Sequence, residues 1–226
     1  MASVRGLLWG DILDPHKLTD QNPSAARPDR ERGKHSFESN TPVEFVIRPA
    51  TEADLPEIVD IYNQSIPGGW STADTKPLSV ADREDWFRRF EPTKRPIWVA
   101  EAEGRVVAVT YLTSFYGGRP AYDATAEISV YIASDVQRRG IGRKLKEFVI
   151  AQCPRLGVTT LLSMYFDHNQ ATHRINESLG FEPMGHLTEI AVVQGKKRGL
   201  IISALRIPSH GIGDGTKGDD SKGDGT

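Results

Sequence analysis

The chain has 226 residues, of which 38% are hydrophobic and 26% are charged, and its formal net charge is −2. About 150 residues suffice for a sizeable core, so this length favours one domain with tails. The near balance of charges excludes a global basic field of the kind that attracts nucleic acid, and no apolar run reaches the roughly 20 residues that cross a bilayer. We therefore expect neither a nucleic-acid nor a membrane partner.

Both ends of the chain lack the periodic apolar residues that a core requires. Residues 1–42 show no sustained periodicity, residues 21–40 are crowded with Pro, Ser, Arg, Asp and Glu, and residues 208–226 are rich in Gly, Asp and Lys. These compositions predict a flexible N-terminal extension and a disordered C-terminal tail around a domain at 43–207. The single cysteine, Cys153, cannot form an internal disulfide, which favours the reducing cytoplasm.

The first half of the domain is predicted to form a strand, two helices and a hairpin. Apolar residues alternate over 43–49, which is typical of a strand. A capping-box pattern at 51–54 precedes apolar residues at helical spacing. A second helix is predicted over 79–90, and strands over 97–101 and 106–113 flank a tight turn.

The second half alternates strands and helices before it ends in two strands. Strands are predicted over 125–132, 159–166, 187–193 and 200–205, and helices over 140–153 and 169–179. The complete order is β-α-α-β-β-β-α-β-α-β-β. This order predicts an α/β (α+β) fold in which helices cover the faces of a mixed sheet.

A glycine-containing loop joins the strand at 125–132 to the helix at 140–153. Residues 137–143 read QRRGIGR, so two glycines and several cations meet a helix start. Unpaired N–H groups and a positive dipole at that start favour a bound anion, and glycine permits close backbone approach. The last glycine of a dinucleotide fingerprint is missing and no G-x-x-x-x-G-K-[ST] occurs, so the Rossmann and P-loop motifs are excluded.

The motif Q-x-x-G-x-G between a strand and a helix resembles the GNAT superfamily of acetyltransferases. Asn169-Gln170-Ala171 at the next helix start and Gly180-Phe181 at its end strengthen the resemblance, which runs from about Val46 to Ile207. It implies a mixed, mostly antiparallel sheet flanked by helices on both faces, with acetyl-CoA as co-substrate. The chain is most similar to the phosphinothricin and methionine-sulfoximine N-acetyltransferases, through Ile61-Tyr62-Asn63, Asp74-Thr75, Asp85-Trp86-Phe87, and Arg119 with Tyr122.

The resemblance implies a set of contacts to acetyl-CoA. Strand residues Val130, Tyr131 and Ile132 would lie along the pantetheine, with backbone groups of the first and third pairing with its amides. The phosphates and the cofactor arm would be held by Gln137, Arg138, Arg139, Gly140, Ile141, Gly142, Arg143 and Asn169. On the residues alone, the cations could equally be a solvated helix start and Asn169 only an N-cap.

Acetyl transfer to an amine needs a base near the thioester, because the ammonium must lose a proton before it attacks. Glu127 matches the catalytic carboxylate of the family, acting directly or through a water. Where relatives place Tyr or His to protonate the CoA thiolate, this chain has Asn176, which supplies no proton at neutral pH. Solvent or a tyrosine such as Tyr165 is left for that step. His168 and His173 lack the i, i+4 spacing of a zinc helix, so no metal is predicted.

The acceptor pocket departs from the family pattern. Arg119 and Tyr122 fit an anionic amino acid, yet Ala73 replaces an aromatic residue and Gln194 replaces a histidine. We predict an N-acetyltransferase that acts on the primary amine of a small, amino-acid-like acceptor by direct transfer in a ternary complex. The alternatives are a non-catalytic acyl-CoA-binding regulatory module and a peptide N-terminal acetyltransferase. The resemblance also implies a homodimer.

Overall fold

A computed structural model describes residues 43–208 of the chain. The extension predicted at 1–42, and all but the first residue of the tail predicted at 208–226, therefore lie outside the described residues. Within this range the chain forms strands and α-helices in the predicted order. The strands are β1 (Val46–Pro49), β2 (Ile97–Ala102), β3 (Arg105–Ser114), β4 (Thr125–Ile132), β5 (Thr160–Phe166), β6 (Glu182–Val193) and β7 (Lys196–Arg206). The helices are α1 (Leu55–Gln64), α2 (Val80–Arg88), α3 (Ile141–Gln152) and α4 (Gln170–Ser178).

The helix starts follow from local hydrogen bonds. Asp54 Oδ2 accepts from the backbone N–H and the hydroxyl of Thr51, at 2.7 and 3.0 Å, just ahead of α1. At α2 the Ser79 hydroxyl accepts from the Asp82 N–H (3.2 Å), and the Asp82 carboxylate accepts from the Ser79 N–H (2.8 Å). Each arrangement satisfies backbone donors that a helix start leaves unpaired.

Three predicted strand starts were wrong. The first strand begins at Val46 rather than Val43. Strand β6 begins at Glu182, five residues before the predicted start at Leu187, and β7 begins at Lys196, four residues before the predicted start at Leu200. Residues 182–190 are all exposed on an edge strand. Such a strand has no buried face, so it lacks the apolar alternation from which strands are predicted.

The strands form one seven-stranded sheet in the order β1-β2-β3-β4-β5-β7-β6. Every neighbouring pair is antiparallel except β4 and β5, which run parallel. Apolar side chains of α1 and α2 pack on one face with β3, and those of α3 pack on the other face beside Trp98 and Ile128. This is the predicted mixed, mostly antiparallel sheet between helical layers.

The parallel pair separates soon after it begins. Register pairs join β4 and β5 only from Thr125↔Thr160 to Glu127↔Leu162, although both strands continue for several residues. Within the described chain, β4 beyond Glu127 has no strand partner on this side. The sheet is therefore open as a wedge, with Glu127 at its apex.

Candidate active site

The loop between β4 and α3 has a strained backbone. Arg138 adopts φ 64° and Gly140 adopts φ 80°, so two left-handed residues lie within three positions. A non-glycine residue in this region is uncommon and points to a functional constraint. The Gln137 side chain stabilises the loop by donating from Nε2 to the carbonyl of Ile132 (3.1 Å).

The strained loop ends at the open start of α3. The first helical N–H to reach an acceptor is that of Lys144, which donates to the Gly140 carbonyl at 3.2 Å. The N–H groups of the turn before it have no acceptor within the helix, so they are available to an anion. A Cβ on Gly142 would lie 3.1 Å from Ile132 Cδ1, so a larger residue here would require that methyl group to shift.

Two of the predicted phosphate ligands already bind protein groups. Arg143 donates to Glu147 and to the Ser178 hydroxyl, each at 2.8 Å, and Arg139 donates to the Asp135 carbonyl at 3.4 Å. Arg138 is exposed beside the helix start. The geometry thus brings the predicted loop residues together around one turn of backbone.

We expect Gly140→Ala to weaken acetyl-CoA binding, because alanine resists the left-handed conformation by about 1–2 kcal/mol. KM for acetyl-CoA should rise about tenfold, which corresponds to about 1.4 kcal/mol of lost binding. Steady-state kinetics with varied acetyl-CoA measures this rise. The matched control is Gly157→Ala, which has φ 68° and equally open space after α3. Gly157→Ala should lower the stability of the protein by a similar amount. An equal rise in its KM for acetyl-CoA would contradict the assignment of the acetyl-CoA site to the loop at Gly140.

Glu127 lies at the last paired position of β4. Its neighbours Ala126 and Ile128 are buried with Val149 of α3, so Glu127 points to the opposite face, toward α1 and α2. Burial raises the pKa of this carboxyl to about 7. A carboxylate with this pKa is half ionised near neutral pH, which suits a general base.

An aromatic pocket lies on the same face of the sheet as Glu127. It is lined by Ile58, Val59, Tyr62, Arg83, Trp86, Val109, Tyr111 and Tyr131. The Arg83 guanidinium is 4.6 Å from the Tyr62 ring and 4.8 Å from the Trp86 ring, with Asp74 at 3.8 Å. The prediction included Tyr131 but missed Arg83, whose spacing from Val80 and Trp86 puts it on the apolar face of α2.

The loop after α1 is held in place by side chains from distant elements. The His168 ring donates from Nε2 to the Gly69 carbonyl (3.0 Å), and Asn169 Nδ2 donates to the Trp70 carbonyl (2.9 Å). Gln194 donates to the Pro67 carbonyl from the β6–β7 turn. Asn169 also caps α4, because its Oδ1 accepts from the Thr172 N–H (3.1 Å). Its contact with the cofactor arm stays a prediction.

Arg119 and Tyr122 lie together on an exposed loop before β4. The Arg119 guanidinium lies 5.5 Å from the centre of the Tyr116 ring, and the Tyr122 ring packs edge-on against Tyr116 and Phe115. No carboxylate pairs with Arg119 among residues 43–208. The two predicted substrate residues thus form one cationic, aromatic surface separate from the Arg83 pocket.

Other candidates fit structural roles. Cys153 is fully buried and burial raises the pKa of its thiol to about 11, as expected for a core cysteine. Tyr165 is buried and hydrogen-bonds His173 Nδ1 at 3.0 Å. Over the described range, no three His, Cys, Asp or Glu side chains cluster as metal ligands, and no helix is long and apolar enough to span a membrane.

Residues 55–181 match the model of the Acetyltransferase (GNAT) family. The chain belongs to the GNAT family. The YwnH protein of Bacillus subtilis is 38% identical over 159 residues, which cover 70% of this chain and 96% of that protein. The L-methionine sulfoximine/L-methionine sulfone acetyltransferase of Pseudomonas paraeruginosa is 29% identical over 164 residues. These residues cover 71% of this chain and 94% of that protein.

A solved GNAT structure carries the donor. The phosphinothricin acetyltransferase of Sinorhizobium meliloti, in complex with AcCoA, superposes with a TM-score of 0.69 at 25% identity. The match covers 78% of this chain and 97% of that one. This GNAT protein is an acetyltransferase with acetyl-CoA as its co-substrate. Family membership favours an enzyme over the non-catalytic acyl-CoA-binding module.

The features of the wedge fit acetyl-CoA. The unpaired N–H groups at the start of α3 suit its phosphates, and the free edge of β4 beyond Glu127 offers backbone groups to its pantetheine amides. Residues Val130 to Ile132 lie along that edge. A helix start with unpaired N–H groups at one end and the Glu127 carboxyl at the other suit the two ends of acetyl-CoA.

Proposed function

We propose that this GNAT acetyltransferase transfers acetyl from acetyl-CoA to the primary amine of a small, amino-acid-like acceptor, directly and within a ternary complex. The observation that carries the proposal is Glu127 at the apex of the wedge, with a pKa of about 7 and on the face opposite α3. The names of the Pseudomonas and Sinorhizobium relatives support an amino-acid-like acceptor.

The chemistry follows from this geometry. Glu127, as carboxylate, takes a proton from the acceptor ammonium, and the free amine attacks the thioester carbon. The C–S bond then breaks with its electron pair going to sulfur, so the thiolate needs a proton. No acyl-enzyme is required, because Cys153 is buried in the core with a raised pKa.

We expect Arg119→Met to weaken the binding of an anionic acceptor without affecting the binding of acetyl-CoA. A hydrogen bond between charged groups is worth about 1.5–3 kcal/mol, so KM for the acceptor should rise about 10- to 100-fold. KM for acetyl-CoA should stay within about twofold, since Arg119 lies away from the α3 start. Arg206→Met is the control, because it removes an exposed cation whose guanidinium bonds Thr160 Oγ1. A general rise in both KM values would contradict the assignment.

Release of free CoA thiol tests the function. Purified protein is supplied with acetyl-CoA and a panel of amino acids, methionine sulfoximine, phosphinothricin and peptides with free N-termini. Turnover with an amino-acid-like amine supports the proposal, and intersecting double-reciprocal plots support direct transfer, whereas parallel lines indicate an acyl-enzyme. Turnover with peptides alone favours the peptide N-terminal acetyltransferase. Binding of acetyl-CoA without any turnover contradicts the proposal.

The homodimer and the cytoplasmic location remain predictions. Support for a dimer comes from the outer strand β6, which exposes Met184, Leu187, Ile190 and Val192 by about half of their surface. Apolar side chains grouped on an edge strand are a liability that a partner strand removes. Sedimentation velocity at micromolar concentration distinguishes the monomer from the dimer.

A further inference from the structure

A buried lysine lies between the two helices beside the wedge. Lys146 of α3 is 5% exposed, and its Nζ donates to Ser163 Oγ of β5 (3.0 Å) and to Oδ1 of Asn176 on α4. Ser163 and Asn176 are buried as well, at 2% and 1%. Among the described residues no carboxylate pairs with Lys146. The molecule therefore buries an ammonium against neutral partners.

Such a lysine is costly as a structural element. Burying a cation without a counter-ion is unfavourable, and an apolar side chain of equal length would usually stabilise a core better. Burial alone lowers the pKa of Lys146 to about 7. Tyr165 of the same strand is hydrogen-bonded to His173 Nδ1 at 3.0 Å and accepts from Ser203 Oγ at 3.3 Å. A role in proton transfer accounts for a group that packing does not require.

The hydrogen bonds of the cluster leave one donor free. Ser163 Oγ accepts from Lys146 Nζ and from Asn176 Nδ2, each at 3.0 Å, which fills both of its lone pairs. Its own hydrogen must then point away from both groups, and the described residues offer it no acceptor. A hydroxyl held in this way can donate to a group outside the cluster.

Ser163 lies where the wedge begins, and its side chain is buried. Ser163 is the first residue of β5 after the last pair, Glu127↔Leu162. Paired residues share a face, so Glu127 points toward α1 and α2 while Ser163 points toward α3 and α4. A thioester between the strands would have a base on one side and a hydroxyl donor on the other.

We propose that the Ser163 hydroxyl protonates the departing CoA thiolate and that the Lys146 ammonium replaces the proton. This inference rests on the proposed function. As the C–S bond breaks, sulfur takes the Ser163 proton, Ser163 oxygen takes a proton from Lys146, and Lys146 is left as a neutral amine. Solvent reloads it before the next turnover. Ser163 is the group that touches sulfur, and Lys146 acts through it.

The direction of proton transfer is favourable. An ordinary thiol has a pKa of about 8.5, above that of Lys146, so the proton moves toward sulfur. Asn176 orients the serine by donating a hydrogen bond from Nδ2 and transfers no proton to sulfur, which removes the need for a Tyr or His at its position. The relay also replaces solvent and Tyr165 as the sources predicted from the sequence.

Lys146→Met tests the relay, because methionine matches the length of lysine and suits a core. We expect kcat to fall about 100-fold and the high-pH decline of kcat, which reports loss of the ammonium, to disappear. Ser163→Ala should give a similar loss, and the double variant should lose no more than either single one, as for residues that act as a unit. Arg206→Met should leave all of these values unchanged.

Titration of bound CoA separates this inference from the proposed function. Thiolate absorbance of CoA bound to the protein needs no acceptor. The Lys146 ammonium stabilises a thiolate beside it, so part of the bound thiol should ionise at a lower pH in wild type than in Lys146→Met. Loss of turnover in the wild type would contradict the function while leaving this readout intact. An unchanged thiol pKa, or a Lys146→Met variant that folds and keeps its kcat and high-pH decline, overturns the relay. An unaltered or raised melting temperature checks folding.

Discussion

Replacing Glu127 by Gln should lower kcat about 100- to 10,000-fold, the range that general base catalysis supplies. Glutamine keeps the shape and hydrogen-bonding capacity of the side chain but cannot accept the ammonium proton. KM for acetyl-CoA should change little, because Glu127 lies at the apex of the wedge, away from the α3 start. Stopped assays of CoA thiol release measure the effect. The control Glu44→Gln changes an exposed carboxylate before β1 and should be silent.

The pH dependence of kcat/KM for the wild type should show the ionisation of Glu127. Because burial raises the pKa of Glu127 to about 7, kcat/KM should rise through an apparent pKa near that value as the carboxylate forms. Glu127→Gln should remove this rise. A rising limb that persists in the variant would assign the base to another residue.

The stability of the protein provides an independent check, because ionisation of Glu127 should raise activity but lower the free energy of unfolding. A carboxyl whose folded pKa is raised binds its proton more tightly when folded, so the folded state loses stability as pH rises from about 4.5 to about 7. Above that window the ionised Glu127 keeps its full penalty. Glu127→Gln should therefore melt at a higher temperature than wild type at pH 8, and the difference should vanish below pH 4. A variant that is less stable at pH 8 would contradict burial of the charge.

The loop between β4 and α3 was predictable because its sequence signal is local. The strand β4, the QRRGIGR loop and the start of α3 are contiguous, so periodicity and glycine spacing were enough to place them. The capping patterns of α1 and α2 were readable for the same reason. Family resemblance then supplied the donor, which spacing alone did not name.

The wedge between β4 and β5 and the buried Lys146 beside it depend on tertiary contacts. Nothing in the sequence states that β4 and β5 separate after three pairs. Helical spacing did carry a signal for Lys146, which shares a face of α3 with Gly142, Leu145 and Val149. A charged residue at an apolar position was the available clue. Single charged exceptions to an apolar pattern are common on helices, so this spacing alone does not identify a buried lysine.

Replacing Trp98 by Ala should produce the largest loss of stability. Trp98 of β2 is 2% exposed, and its ring packs edge-on against Phe148 of α3 at 5.4 Å. Removing a buried Trp typically costs about 3–5 kcal/mol through lost transfer energy and the cavity left behind. At about 2–4 °C per kcal/mol, the melting temperature should fall by about 6–20 °C. Trp98→Phe, which keeps an aromatic ring, should lose much less.

The Trp98 variant also tests the link between the core and the donor site. Phe148 and the unpaired N–H groups at the start of α3 belong to the same helix, so loss of Trp98 should loosen α3. Acetyl-CoA at about 100 times its dissociation constant raises the free energy of unfolding by about 2.7 kcal/mol if the folded site is intact. We expect a smaller ligand-induced rise in melting temperature for Trp98→Ala than for wild type at equal acetyl-CoA. An equal rise would mean that the cavity leaves the α3 start undisturbed and that donor binding is independent of this contact.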